Sequence, residues 1–331
     1  MIVSVYDAKG RAGKIGEGMP AAVIDHSQVT ERRNKIRFPF GDAEMVQLSF
    51  AGIFVKYGDI ALREQINLHM DMEDEPSVVE LHFTLSGYGF LKNDRSGDRY
   101  DFEENFCNMH YLPNFSGAGE YAKDMRYRFF EVHFTTDAFL ALAQNSSPLL
   151  MELADKISTD SKIDINKENM PITMAMHQCI QDIMHCQFSG GLKMMYLQSK
   201  CIELLALQAQ AYESFTGKTA FSSSITADDI ERIRYAQSYL IEHSLQPPSL
   251  IELSRIAGIN EFKLKKGFKE VFNNTVFGYL ADHKLSEARE MLLYRQVPIK
   301  EVADRLGYSS VQHFSKAFKK KFGIAPGQAK G

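Results

Sequence analysis

Two stretches, LIELSRIAG (Leu250–Gly258) and NEFKLKKGFKEVF (Asn260–Phe272), decide how the C-terminal third of the chain folds. Ser249 and Glu252 stand at the spacing of a capping box, which satisfies free N–H groups at a helix start. The short helix stops at Gly258 and a second opens after it. Short helix, glycine-containing turn and second helix form a helix-turn-helix pattern. The pattern recurs in IKEVADRLG, which stops at Gly307, 49 residues beyond Gly258, and in the following YSSVQHFSKAFKKKFG. Phe268 and Phe272 match Phe318 and Phe322 at an offset of 50, so the second turn holds one extra residue. Leu253, Ile256, Leu264, Phe268 and Phe272 are expected on the buried side of the first unit. Val302, Leu306, Phe314, Phe318 and Phe322 are expected there in the second. A single match could be any helical hairpin, whereas two in one segment are a strong signal.

Between the units lies TVFGYLADHKLSEAREMLLY, Thr275–Tyr294. A helix of that length spans ~30 Å, and successive major-groove faces of B-DNA are ~34 Å apart. One connecting helix can therefore present both second helices to the same face of a duplex. Upstream, Thr226 with Asp228 and Asp229 starts another helix, with acid at its positive end. Before it, Ser214–Thr226, with Gly217 and three consecutive serines, reads as a linker.

Charge divides at that linker. The whole chain of 331 residues carries a formal charge of −4, which says nothing of nucleic acid. Residues 1–220 hold 21 basic and 30 acidic side chains, and residues 221–331 hold 17 and 12, giving −9 and +5. A basic segment attracts phosphate backbones through counterion release. Hydrophobic residues at 44% and charged residues at 24% exclude a largely disordered chain.

From Met45 to about Thr135 the hydropathy alternates with period two. Glu80, His82 and Thr84 share one face, opposite Leu81, Phe83 and Leu85; Glu131, His133 and Thr135 share one face, opposite Val132 and Phe134. The segments Val46–Tyr57, Val78–Leu91, Tyr100–Leu112 and Arg126–Thr135 are expected as strands of a sandwich or barrel. Two of them repeat the pattern E-x-H-F-T. That echo has two readings: strands with similar in/out demands, or a polar ligand pocket built from Glu80, His82, Glu131 and His133. No H-x-H occurs, which argues against the His-rich metal site of a cupin-type enzyme, and neither a metal nor a cofactor is expected.

Helices are expected from Asp137 to Leu142, Pro148 to Ile157, Pro171 to Phe188 and Leu192 to Phe215. The last carries Met194, Leu197, Cys201, Leu204, Leu205 and Gln208 as an apolar stripe about six turns long. With its neighbour it reads as an antiparallel hairpin that either packs on the barrel or makes a dimer contact. Cys107, Cys179, Cys186 and Cys201 are irregularly spaced, so a disulfide framework is not expected. His177, Cys179, His185 and Cys186 are spread along and around one helix. Residues seven apart are ~10 Å apart along its axis, so packing rather than metal binding is the expectation. The N-terminus lacks a signal-peptide pattern and no apolar run reaches the ~18 residues of a membrane span, which points to the cytoplasm.

The segment from about Ile225 onward resembles the DNA-binding domain of the AraC/XylS family of bacterial transcription regulators. The residues that carry the resemblance are ELSRIAGINEFKLKKGFKEVF, ADHKLSEAREML and VADRLGYSSVQHFSKAFKKKFGIAP. HYLPNFSG, FEVHFT and TVFGYL are nearest the pyochelin-receptor-regulator branch. The end, APGQAKG, departs from the family's usual aromatic-Arg final helix, so that helix is expected to be short or absent. The resemblance implies an α+β chain: an N-terminal cupin-like jelly-roll β-barrel with a helical hairpin, then an all-α domain with two helix-turn-helix motifs joined by a linker helix. The boundaries are 1–140 for a sensor barrel, 141–216 for a helical dimerisation segment, 217–225 for a linker and 226–331 for the DNA-binding domain. It implies a ligand-responsive regulator, favours activation, and gives as partners promoter DNA, RNA polymerase, a second copy through residues 171–215, and a small effector such as a siderophore or another metabolite. The location it implies is cytoplasmic, on the nucleoid.

Base-edge contacts come from the N-terminal part of each second helix. In the first unit the exposed positions are Glu261, Lys263, Lys265, Lys266 and Lys269, because Phe262, Leu264 and Phe268 turn inward or to the groove wall. By resemblance, Glu261, Phe262, Lys265 and Lys266 occupy base-reading positions. In the second unit Gln312, His313 and Lys316 take the corresponding places, with Ser309 and Ser310 at the helix start, suited to phosphate, and Lys319, Lys320 and Lys321 placed for phosphate or solvent. Lys can donate to guanine, Gln can pair adenine, and Glu can accept from cytosine. Two other functions compete: a cupin-type metal-dependent enzyme fused to a DNA-binding domain, and a constitutive DNA-binding dimer without effector. No catalytic residue is assigned.

Overall fold

A computed structural model describes residues 2–7, 12–14, 28–72, 76–159, 163–164, 169–216, 225–272, 274–293, 297–322 and 324–330. The Ser-rich core of the expected linker, residues 217–224, lies outside the described residues. The chain divides into two compact units, Met1–Phe215 and Thr216–Gly331.

The first unit is built on two antiparallel sheets. One holds β1 (Ile2–Asp7), β2 (Ala12–Lys14), β6 (Ile66–Asp71), β8 (Tyr88–Asn93), β9 (Arg99–Glu103) and β11 (Ser116–Tyr121), in the order β2-β1-β6-β11-β8-β9. The other holds β3 (Thr30–Phe38), β4 (Gly41–Phe50), β5 (Ile53–Leu62), β7 (Val78–Ser86), β10 (Phe106–Tyr111), β12 (Arg126–Thr135) and β13 (Ile163–Asp164). Its order is β13-β10-β7-β12-β5-β4-β3, with β14 (Met170–Pro171) also on β10. Met45, Ile60, Leu62 and Phe129 from the larger sheet meet Ile66, Leu68, Leu91 and Phe102 from the smaller in one apolar interior. The opposite face of the larger sheet, with Leu81, Phe83, Val132 and Phe134, packs on the helices. The central strands are thus covered on both sides, and their alternation separates two buried environments rather than core from water.

Three of the four expected strands are each two strands: one is a hairpin, and two cross from one sheet to the other. Val46–Tyr57 turns at Ala51 and Gly52, both at positive φ, to make β4 and β5. Val78–Leu91 breaks at Gly87, whose φ of +84 suits glycine, into β7 in one sheet and β8 in the other. Tyr100–Leu112 breaks near Asn105, at φ 63, into β9 and β10. Only Arg126–Thr135 is one strand, β12. The Ala51-Gly52 turn escapes a period-two reading because it is short and flanked by Phe50 and Ile53.

Four helices complete the unit: α1 (Thr136–Ala143), α2 (Pro148–Ser158), α3 (Met174–Met184) and α4 (Gly190–Thr216). Residue 140, the expected domain edge, lies inside α1, and α1–α4 share one core with the larger sheet. The α4 stripe lies in that core: Leu197, Cys201, Leu204 and Gln208 are fully buried and Leu205 nearly so. The barrel does hide it, which removes the argument that made the stripe a dimer contact. The large apolar side chains left exposed nearby are Phe188, Leu192 and Met195.

The second unit holds α5 (Ala227–Glu242), α6 (Leu250–Ile256), α7 (Glu261–Val271), α8 (Val276–Leu293), α9 (Ile299–Arg305) and α10 (Val311–Phe322), then a 3-10 turn at Gln328–Lys330. That turn stands where the sequence departs from a full final helix. Thr226 with Asp229, and Ser249 with Glu252, form capping boxes at α5 and α6. Gly258 and Gly307 take φ of +64 and +71 in the two turns, a conformation that disfavours any Cβ. The first core joins Leu253, Leu264 and Phe268 to Ile233, and the second joins Val302, Phe314 and Phe318 to Leu292. Helix α8 serves both, giving Val276 and Leu280 to the first and Leu285, Ala288 and Leu292 to the second. Ile256, expected inside, is 38% exposed, because α6 ends there and turns away. No helix among the described residues is long and apolar enough to cross a membrane.

Candidate functional sites

Adjacent strands β7 and β12 run antiparallel with His82 opposite Glu131 and Glu80 opposite His133. The two E-x-H patterns therefore close into one square. The opposite chain directions place carboxylate and imidazole alternately at its corners. All four side chains line a cavity of about 120 Å³ between the two sheets. The rest of its wall is mainly apolar, including Met70, Phe102, Phe115, Tyr100, Tyr121 and Tyr127.

Inside the square, His82 Nδ1–H donates to Glu80 Oε1 at 3.0 Å and lies 3.4 Å from Glu131 Oε1. Its Nε2 lies 3.2 Å from the Tyr127 hydroxyl and 3.3 Å from that of Thr84. His133 Nε2 lies 3.2 Å from Glu131 Oε2, while its Nδ1 has no hydrogen-bond partner among the described residues. Lys56 Nζ is 3.6 Å from Glu131 Oε2. Burial opposes charge on His82, but hydrogen bonds to Glu131 and Glu80 and their negative charges outweigh it, pushing its pKa up to about 9. Burial would also raise Glu131, yet Lys56, His133 and His82 hold it well below the usual carboxylate range. Glu80 is lowered too: burial and Glu131 oppose its ionisation, and the His82 hydrogen bond with the two histidine charges wins. Lys56 and Tyr127 were not picked out from the sequence. The signal was there: Tyr127, Phe129, Glu131 and His133 alternate along one strand and all face the cavity.

In the second unit the second helices of the two helix-turn-helix patterns are α7 and α10. In α7, Leu264 and Phe268 are buried, whereas Phe262 is 67% exposed and does not turn inward. Lys265 and Lys269 are exposed, and Glu261 and Lys266 are half-buried. Lys265 lies 3.5 Å from Glu261 and Lys266 lies 3.9 Å from Glu270, pairs that are weak in solvent. Lys263 is different. Its Nζ binds the buried Asp229 at 2.6 Å, and Asp229 caps α5. The Lys263 hydrogen bond, with those of Thr226, lowers the Asp229 pKa to about 2. Arg232 reaches the Gly258 carbonyl and ties α5 to the first turn. In α10, Gln312, His313, Lys316, Lys319 and Lys320 are exposed. Ser310 Oγ accepts from His313 N–H, and Ser309 Oγ lies 2.8 Å from His313 Nδ1. Lys321 turns inward to Asp282 of α8.

Residues 40–222 match the family described as Regulatory protein PchR N-terminal domain, and residues 253–330 match one described as Helix-turn-helix domain. The chain belongs to the PchR-type regulator family. Regulatory protein PchR of Pseudomonas aeruginosa is 39% identical over 122 residues, 37% of this chain and 41% of that protein. The Xylose operon regulatory protein of Escherichia coli is 30% identical over 91 residues, 28% of this chain and 23% of that protein. The alignments thus span less than half the length of these curated relatives. Thermoregulatory protein LcrF of Yersinia pestis is 23% identical over 256 residues, 77% of this chain and 90% of that protein. Among solved structures, fatty-acid-bound ToxT of Vibrio cholerae aligns over 83% of this chain and 94% of that one, at 13% identity and a TM-score of 0.31.

Proposed function

We propose that this PchR-type chain is a ligand-responsive transcription regulator that lays α7 and α10 into successive major grooves of promoter DNA. The observation that carries the reading is the sharing of α8 by two helix-turn-helix cores. At 1.5 Å per residue its 18 residues span ~27 Å, close to the repeat of the groove. Lys265, Gln312 and Lys316 are the leading base contacts, with Glu261, Phe262, Lys266 and His313 beside them. Ser310 serves the helix start, and Lys269, Lys319 and Lys320 serve phosphates. Lys263 is assigned chiefly to holding Asp229.

In this reading the cavity of the first unit takes a small effector, a siderophore or another metabolite, held at its polar end by Glu80, His82, Glu131 and His133. The effector acts by favouring one of two states of the regulator, which requires different affinity for each. The regulator is an activator that meets RNA polymerase in the cytoplasm, on the nucleoid. A second copy docks through residues 171–215, by the face carrying Phe188, Leu192 and Met195. No reaction is assigned to the barrel.

Footprinting on the DNA upstream of the chain's own gene, with salt titration, tests the reading. Protection of two adjacent major-groove segments is expected, with affinity falling steeply as salt rises. Lys265→Ala or Lys316→Ala lowers the salt slope by about 1 each if the lost contact is to phosphate, and relaxes base preference if it is to a base. Equal affinity for random and upstream DNA would overturn the reading.

A further inference from the structure

We propose that Glu80, His82 and Glu131 form a binding site for one divalent transition-metal ion, with His133 and Tyr127 as positioning residues. One carboxylate oxygen of each glutamate and one imidazole nitrogen lie within 4.8 Å of one another. The Glu80 Oε1–His82 Nδ1 and His82 Nδ1–Glu131 Oε1 separations are 3.0 and 3.4 Å. Ligands bound at 2.0–2.2 Å in a tetrahedral arrangement lie about 3.4 Å apart. Two of the three donor separations are therefore already near the edge lengths of a coordination polyhedron, and the third lies within 4.8 Å.

The surroundings fit a metal centre as well as the donors do. A ligating imidazole needs its other nitrogen to donate to a neighbour, which fixes ring and tautomer. Here Nε2 faces the Tyr127 and Thr84 hydroxyls, leaving Nδ1 for the ion. Glu131 divides its oxygens in the same way. Oε1 faces His82, while Oε2 is held by His133 at 3.2 Å and Lys56 at 3.6 Å. His133 is 6% exposed, and its Nδ1, 4.0 Å from Glu80 Oε2, has no hydrogen-bond partner among the described residues. It is a polar group aimed at the site and available to move onto it. The cation takes the place of the Nδ1 proton of His82, so one proton leaves as the ion enters. Three protein ligands leave an open coordination position on the cavity. A mixed nitrogen and oxygen donor set without sulfur suits zinc, iron(II) or manganese(II) and disfavours copper(I).

The site rests on the first unit's geometry and stands whether or not the chain regulates transcription, since its readout needs no DNA. The full chain, stripped with chelator, is titrated with zinc(II) by calorimetry and with cobalt(II) by visible absorption. One equivalent and a cobalt d–d band are expected. Glu80→Gln and His82→Gln each weaken binding at least 100-fold, and His133→Gln weakens it 10- to 100-fold as an outer partner. His185→Gln, outside the cavity, keeps it. Absence of both the heat and the cobalt band in the wild-type chain overturns the proposal, even if the variants fail to fold. So does binding that survives unchanged in Glu80→Gln and His82→Gln.

Discussion

Both units of the molecule repeat a motif, and they do opposite things with the copies. The sheet unit places its two E-x-H patterns on neighbouring antiparallel strands, so that four side chains converge on one point. The helical unit places its two helix-turn-helix patterns at the ends of α8, each with its own core. Convergence lines one cavity with all four side chains. Separation makes a spaced pair of projections, which the proposed function assigns to DNA. The same economy of sequence thus yields a site of one geometry or two, according to whether strands or a helix join the copies.

The separated copies should be energetically alike. Phe268 and Phe318 are both fully buried at matching positions. Replacing either with Ala should cost about 3–5 kcal/mol, from lost transfer energy and the cavity left behind. Urea unfolding followed by circular dichroism measures it. A loss below about 1 kcal/mol in one but not the other breaks the equivalence.

The converged copies should instead fail together. Glu131→Gln removes a carboxylate that faces His82, His133 and Lys56 at once. Leaving buried positive charge uncompensated should cost about 3 kcal/mol. A thermal melt of the metal-free chain unchanged by the substitution would show that the square is held by the surrounding apolar wall alone.

Acid and alkali separate the units further. Asp229 has a folded pKa of about 2, below its ordinary 3.8, so its stabilisation is present above pH ~4 and lost as pH falls toward 2. His82 has a folded pKa of about 9, above its ordinary 6.5. Its stabilisation is complete below that ordinary value and lost as pH rises through about 9, in the field of Glu80, Glu131, Lys56 and Tyr127. The depressed carboxylates give the sheet unit an acid limb too, so only the alkaline limb distinguishes the units. His82→Asn should flatten that limb and Asp229→Asn should flatten the helical unit's acid limb, in melts across pH.

The smallest expected effect tests where the two helical copies are unlike. Ser249 caps α6 through the Glu252 N–H, whereas α9 begins after Pro298 with no side-chain cap. Ser249→Ala should cost about 1 kcal/mol. Denaturation with no shift in midpoint would mean that the cap contributes nothing in the folded unit.

The helical unit was legible because its cues are local: Ser249, Gly258, Asn260 and Gly307 each act on the turn in which they stand. The sheet unit was legible in its faces but not in its connections. Period two separates Glu80 from Leu81 whichever strand lies next door, whereas a turn as small as Ala51-Gly52 leaves the alternation almost intact. The square itself needed the pairing of β7 with β12, a long-range register that one strand's composition does not carry. Lys56 escaped for the same reason. A lysine among apolar residues reads as solvent-facing until Glu131 is placed across the ladder from it. Ile256 and the α4 stripe show the reverse limit, since helical spacing names a face without naming what covers it.

The aromatic wall of the cavity has an optical consequence. The chain has 14 tyrosines and no tryptophan, so its intrinsic emission is tyrosine emission alone. Tyr100, Tyr121 and Tyr127 are buried around the cavity, and Tyr127 shares its hydroxyl with His82. Whatever enters that space must change the surroundings of these phenols. The protein therefore carries its own unlabelled fluorescent reporter of whether that cavity is filled.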